Sequence, residues 1–298
     1  MTGFLLIDKP QGLTSFDVVA RVRRLAHTKK CGHTGTLDPM ATGVMVVAVG
    51  NCTRFIELIP SHDKEYDASL AFGVRTDSFD VSGNVTERSA LRPSKEETER
   101  VLSCFVGEIT QLPPMFSAVK KDGRRLYELA REGKEVERES RTVRVYSAGI
   151  TDFDEENGHC SLKISCSSGT YVRTLIDDLG LKLGCFAAMT ALRRTMANGV
   201  RIENCLSLER LNEMAAEGTL ESALMPADSL LAYNNVVVSE SQARRFKNGG
   251  ELDLERIRQN VSGGYCRVYS EDGTFCGIGD ADVACGVLNV KRVFQRED

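Results

Sequence analysis

Cys31-Gly-His-Thr-Gly-Thr-Leu-Asp-Pro-Met-Ala-Thr-Gly43 runs straight into an apolar segment, Val-Met-Val-Val-Ala-Val, at 44–49. Three glycines, a proline and short hydroxyl residues predict a tight loop, and the apolar run predicts a strand buried on both faces. The loop delivers one carboxylate, Asp38, and Pro39 pushes that residue out of the helical region. A carboxylate fixed at the edge of a core suits chemistry. An Asx-Pro turn that only starts a strand is the competing reading, and the loop by itself leaves the two open.

The chain around this loop is long enough for one large domain, or a large one with a small companion. Its 298 residues carry a formal net charge of −4, and no apolar run approaches the roughly 18 residues of a membrane span. The first residues read as a strand, without the basic and small-residue flanks of a secretory leader, so the expected compartment is the cytoplasm. Ten cysteines and four histidines show no metal-ligand spacing, which predicts reduced, mostly buried thiols and no metal.

Charge is unevenly distributed. Residues 21–30 hold five cations and no acid, and 118–145 hold nine Lys or Arg against six acids. Such patches attract a polyanion despite a negative total, although a solvated face is the plainer account. The first patch follows Thr14-Ser15, a helix-start signal, and sits on a predicted helix over 16–27 whose apolar stripe is Val18, Val19, Val22, Leu25 and Ala26.

Strict alternation at 64–72 places Tyr66, Ala68, Leu70 and Phe72 on one face, so Tyr66 points to the core. The polar stretch 75–83 reads as a loop. Residues 116–138 are charged and short of core positions, which predicts a mobile basic excursion. Strands are expected at 141–150 and 159–167. Ser167-Ser-Gly-Thr170 is expected to cap a helix ending at Gly180. Arg173 stands in its first turn, the unfavourable end of the dipole for a cation, which points either to an anionic partner or to an exposed side chain tolerated at small cost. Beyond Pro226, short strands separated by Gly-Gly and Asp-Gly turns predict a small β unit with one helix at 240–248.

Taken in order, Asp8-Lys-Pro-Gln-Gly-Leu-Thr-Ser15, Gly32-His-Thr-Gly-Thr-Leu-Asp-Pro-Met-Ala-Thr-Gly43, Lys64-Glu-Tyr-Asp-Ala68, Thr76-Asp77, Leu112-Pro-Pro-Met-Phe-Ser-Ala118, Gly169-Thr-Tyr-Val-Arg-Thr174 and Leu192-Arg-Arg194 resemble the TruB family of bacterial tRNA pseudouridine-55 synthases over nearly the whole chain. Phe116 departs from a tyrosine common in that family. The resemblance implies an α/β (α+β) fold: a mixed-sheet catalytic domain at 1–232 with the excursion at 118–138, then a β-rich PUA-like RNA-binding domain at 233–298. It implies isomerisation of uridine to pseudouridine in the tRNA T-loop, with no cofactor, no guide RNA and no membrane, by a monomer. Carried over by motif position, Asp38 is the essential acid and Arg173 its partner. Tyr66 both stacks on the base and serves catalysis, and His33, Tyr171 and Leu192 surround the flipped nucleotide.

Phosphates would fall to Arg21, Arg24, Lys29 and Lys30 on the first patch and to Lys120, Lys121 and Arg124 on the excursion. A guide-dependent rRNA synthase and a non-catalytic RNA-binding or refolding protein are the competing readings. A glycosidase is disfavoured, because the motifs supply one carboxyl where that chemistry uses two.

Overall fold

The computed structural model describes residues 1–60, 62–117, 119–121 and 123–295. Among these, the strands form a ten-stranded mixed sheet, a separate five-stranded sheet and two short hairpins. Strand β1 (Gly3–Lys9) leads through helix α1 (Ser15–Leu25) to β2 (Cys31–His33), β3 (Thr42–Val49) and later β4 (Lys64–Phe72). In the large sheet the spatial order is Leu206–Ser207, β1, β3, Ala187–Ala197, β4, His159–Cys166, Arg141–Asp154 and Gly107–Gln111.

The two halves of that sheet meet along a very short seam. Ala187–Ala197 runs antiparallel to β4 over most of its length, but it touches β3 in parallel through only Arg193–Thr42 and Arg194–Gly43. Gly43 has φ +104°, and a Cβ there would lie 2.2 Å from the Arg194 carbonyl oxygen. Only glycine allows the strands to cross so closely. The Asp38 loop ends at this crossing.

Strand β3 is buried along almost its whole length, as its composition requires. On one side α1 and Leu208–Ala216 cover Val18, Val22, Met45, Val47 and Leu211. The other half of the sheet packs Tyr66, Leu70, Leu162 and Ile164 under the helix Val172–Lys182. Residues 234–293 build their own sheet and core around Val236, Phe246, Val268 and Leu288. This unit leans on the larger one through Phe55, which meets Phe275 and Phe294 at centroid distances of 5.9 and 6.0 Å. The Tyr233 hydroxyl donates to the Leu58 carbonyl at 2.8 Å.

Several local expectations need correction. Residues 31–33 form a strand on β3 instead of belonging to the loop, because their backbone pairs with Val47–Val49. Part of the stretch 75–83 is a strand, Val74–Thr76, paired with Val85–Arg88. Thr170 does not cap the next helix: its hydroxyl donates to the Ser167 carbonyl, and the N-cap is Tyr171. Gly180 lies inside that helix, where a Cβ would stand 2.2 Å from the Ala187 nitrogen, so it serves close packing and not termination. The basic excursion carries a hairpin of Lys120–Lys121 and Arg124–Arg125 and a helix, Leu126–Arg131, pinned by buried Leu126 and Leu129. Ala118 and Asp122, which fall in that excursion, and 296–298 in the C-terminal unit lie outside the described residues. All ten cysteines are free thiols, seven of them buried.

Candidate active site

The Asp38 loop is held from below before any functional contact is counted. Ser15, the first residue of α1, donates its hydroxyl to the Leu37 carbonyl at 3.0 Å and accepts the Leu37 N–H at 2.8 Å. The Gly12 N–H donates to the Pro39 carbonyl at 2.8 Å, and the Ala41 N–H to that of Asp38 at 3.1 Å. Lys9 is fully buried at the end of β1, with its ammonium on the Pro10 and Pro39 carbonyls. Desolvation lowers its pKa to about 8 against an opposing pull from nearby Asp38. The stiffness expected from Pro39 is thus reinforced by the turn between β1 and α1, whose residues are fixed by the Thr14–Asp17 capping box.

Arg173 finds its anions. Its Nε lies 2.9 Å from Asp38 Oδ2, and its Nη1 lies 3.5 Å from Asp80 Oδ2. Nη1 also donates to the Ser78 carbonyl at 3.0 Å, and Nη2 to that of Phe116 at 2.8 Å. The Arg173 and Asp80 side chains are both 5% exposed, whereas Asp38 keeps 32% of its side-chain surface open. A cation at a helix start is therefore held by two carboxylates and two carbonyls. The guanidinium is spread over four groups and does not fork onto Asp38 alone. At position 116 the backbone carbonyl makes the contact, so a phenylalanine there keeps it.

Asp80 is a second carboxyl that the motifs did not supply. It is not a free acid: Oδ1 accepts from the Ser78 hydroxyl, the Ser82 N–H and the Ser82 hydroxyl, and Oδ2 faces Arg173. Saturated in this way, it is an electrostatic support, and the case against paired-carboxyl glycosidase chemistry survives on different grounds. Its turn docks on the Ala187–Ala197 strand, where the Val81 N–H donates to the Met189 carbonyl and the Met189 N–H to that of Phe79.

Burial raises the pKa of Asp38, and the Arg173 charge opposes that rise; Asp80 adds to it and Lys9 opposes it. Tyr66 is buried, and desolvation pushes its hydroxyl up against the pull of Arg194, with Cys166 and Asp38 close by. Leu192 is buried in the same cluster as Tyr66 and Leu37. His33 lies on β2, half-buried, and desolvation lowers its pKa, helped by Arg194 and by Arg125 of the excursion. Tyr171 is fixed through its backbone: buried Gln111 accepts its N–H at 2.9 Å and donates to its carbonyl at 3.2 Å. The Arg141 guanidinium lies over the Tyr171 ring at 5.6 Å.

Asp38 and Arg173 are thus in contact, Tyr66 shares a buried cluster with Leu37 beside Asp38, and Arg194 stands opposite Tyr66 on the neighbouring strand. The candidate phosphate-binding residues differ in exposure and pairing. Arg24 and Lys29 are exposed at the end of α1 and just after it, Arg21 is half-buried, and Lys30 is exposed next to β2. Lys120 is exposed, Lys121 donates to the Glu137 carbonyl, and Arg124 is already paired with Glu132. A cleft of about 760 Å³ is lined by Arg75, Phe79, Phe116, Arg138 and Asp177, and not by Asp38 or Tyr66.

Sequence reading missed Asp80, Lys9, Gln111 and Arg194. Lys9 interrupts an apolar strand, and Arg194 shares strand parity with Leu192, so both carried a signal. Asp80 and Gln111 carried none.

Three family models cover the chain: TruB family pseudouridylate synthase (N terminal domain) at 23–172, tRNA pseudouridylate synthase B C-terminal domain at 173–232, and Pseudouridine synthase II TruB, C-terminal, at 235–294. It is 42% identical over 297 residues to the tRNA pseudouridine synthase B of Dechloromonas aromatica (strain RCB), covering 99% of this chain and 96% of the relative. It is 46% identical over 251 residues to that of Geobacter sulfurreducens, with 84% and 82% covered. Among solved structures, a chain of a Cbf5-Nop10-Gar1 complex superposes with a TM-score of 0.74 at 25% identity, over 98% of this chain and 85% of the other.

Proposed function

The chain belongs to the TruB family of pseudouridylate synthases, and from that premise we propose that Asp38 and Arg173 carry out the isomerisation of a uridine in the T-loop of tRNA, at position 55. The family reaction breaks N1–C1′ and forms C5–C1′, leaving the C5 proton to depart. A base within a folded loop must first be extruded, then held by stacking and edge contacts while it turns.

The observation that carries this reading is the 2.9 Å contact between Arg173 Nε and Asp38 Oδ2, with about a third of the Asp38 side chain open to solvent. Burial raises the pKa of Asp38, the guanidinium opposes that rise, and its contact with Oδ2 orients the carboxylate. Tyr66 supplies a buried ring for stacking and, only in its phenolate form, an oxygen that takes the departing C5 proton. His33, Tyr171 and Leu192 complete the surroundings of the extruded base. Exposed cations after α1 and on the excursion meet the RNA backbone, with affinity falling as salt rises. The division into a catalytic unit at 1–232 and a PUA-like RNA-binding unit at 233–298 is part of the same proposal, as is action by a monomer without cofactor or guide RNA. Among the described residues no helix is long and apolar enough to cross a membrane.

A T-arm RNA tritiated at uracil C5 tests the assignment. Tritium is released to water by the wild-type protein alone, and Asp38→Asn abolishes release while retaining RNA binding. Undiminished release by that variant refutes the role of Asp38. Release that depends on an added guide RNA favours the guide-dependent reading, and binding with no release by the wild-type protein favours a non-catalytic one.

A further inference from the structure

Arg194 and Arg193 are adjacent, yet their surroundings are opposite. Arg193 is 42% exposed at its side chain and forks onto both oxygens of Asp8. Arg194 is 1% exposed, and among the described residues no carboxylate pairs with it. A buried cation without a counter-ion is costly, so what it holds must be worth that cost.

It holds the Asp38 loop. Arg194 Nε donates to the Val44 carbonyl at 2.7 Å, Nη1 to that of Thr36 at 3.2 Å and Nη2 to that of Gly35 at 3.2 Å. Those carbonyls bracket Asp38 on both sides in the chain. In the sheet, Arg194 is the register partner of Gly43 on one side and of Tyr66 on the other. Burial pushes the Tyr66 hydroxyl up, and the Arg194 charge is the main pull against that rise. One planar fork with five N–H donors therefore holds the loop of the acid on three carbonyls, from the strand position directly opposite the tyrosine.

We propose that Arg194 is a positioning residue for the isomerisation, locking the Asp38 loop and Tyr66 into one frame while touching no substrate itself. The inference rests on the assignment of Asp38 and Tyr66 made above. A purely structural arginine would alter only the fraction of protein that is folded. A positioning arginine alters the rate in the folded, RNA-bound complex.

The experiment compares wild type, Arg194→Met, Arg194→Lys, Tyr66→Phe and the double variant Arg194→Met/Tyr66→Phe. Each is checked for folding by thermal melt and for T-arm RNA affinity by filter binding, then assayed by single-turnover tritium release. Arg194→Met is expected to retain affinity and lose about 100-fold in rate, the scale of a small misplacement of reacting groups. Arg194→Lys keeps the charge but cannot span three carbonyls, so it falls between the two and tests the proposal even where the methionine variant does not fold. The double variant should fall well short of the product of the single losses, because both act through one constellation.

A folded Arg194→Met or Arg194→Lys variant with wild-type rate overturns the proposal, as do fully multiplicative losses in the double variant. Wild-type rate in Tyr66→Phe refutes the reading of Tyr66 instead. An inactive wild-type protein refutes the assigned reaction.

Discussion

Replacing Asp80 by asparagine removes one charge from the Arg173 cluster and little else. The asparagine Oδ1 can still accept from the Ser78 hydroxyl and the Ser82 N–H, so the turn keeps its internal bonds. What changes is the face 3.5 Å from Arg173 Nη1, where a carboxylate oxygen becomes an amide N–H₂. At that separation the lost attraction is about 5 kcal/mol with an effective dielectric of about 20. Part is returned because a buried carboxylate no longer has to be desolvated, and Arg173 keeps Asp38 and two carbonyls. A net destabilisation of about 2–3 kcal/mol follows, or a fall in Tm of about 3–5 °C for a chain of this size. The charge change also reaches Asp38: the Asp80 anion adds to the rise in its pKa, so Asp80→Asn lowers it. In the proposed role Asp38 acts as a carboxylate, so activity would be lost as pH falls through its pKa. The acid limb of kcat/KM for tritium release should therefore move to lower pH in the variant. An unchanged Tm with an unmoved limb would show that Asp80 is uncoupled from the site. A limb moving to higher pH would show that Arg173 leaves Asp38 when Asp80 is neutralised, refuting the account of Asp80 as a support.

Two further substitutions probe the frame of the loop. Gly43→Ala puts a Cβ 2.2 Å from the Arg194 carbonyl oxygen at φ +104°; it should cost more than the roughly 1–2 kcal/mol of a left-handed residue and lower Tm and tritium release together. Lys9 titrates in the folded protein at about 8 against an ordinary 10.5, with Asp38, Arg194 and Asp17 as the charges around it. Below pH 8 the folded protein bears the whole cost of burying that charge, and stability recovers by up to about 3 kcal/mol as pH rises toward 10.5. The difference in Tm between wild type and Lys9→Met should therefore shift in favour of wild type between pH 7.5 and 9.5; a difference that is constant with pH contradicts the buried-ammonium account.

What was legible in the sequence was whatever a local period or a local stereochemical demand could express. Alternation at 64–72 turns Tyr66 inward because successive strand side chains must face opposite ways, and Tyr66 is indeed buried. Arg173 at a helix start points to an anion or to solvent on dipole grounds, and Asp38 and Asp80 supply the anion. The same parity puts Leu192 and Arg194 on one face, so the burial of Arg194 was open to inference despite its charge. Asp80 was not open to inference. Its window, Thr76 to Gly83, looks like any polar turn, and its burial arises only because Val81 and Phe79 pair with Met189, more than a hundred residues away. The proposed boundary at 232–233 is crossed by contacts that no local pattern expresses: Phe55 meets Phe275 and Phe294, and the Leu58 carbonyl accepts from the Tyr233 hydroxyl. Apolar residues announce burial but not what buries them, and charged residues announce solvent unless something remote removes it. The parts of this site that sequence reading missed are charged or amide side chains whose environment is made by distant strands, and those strands also fix the position of Asp38.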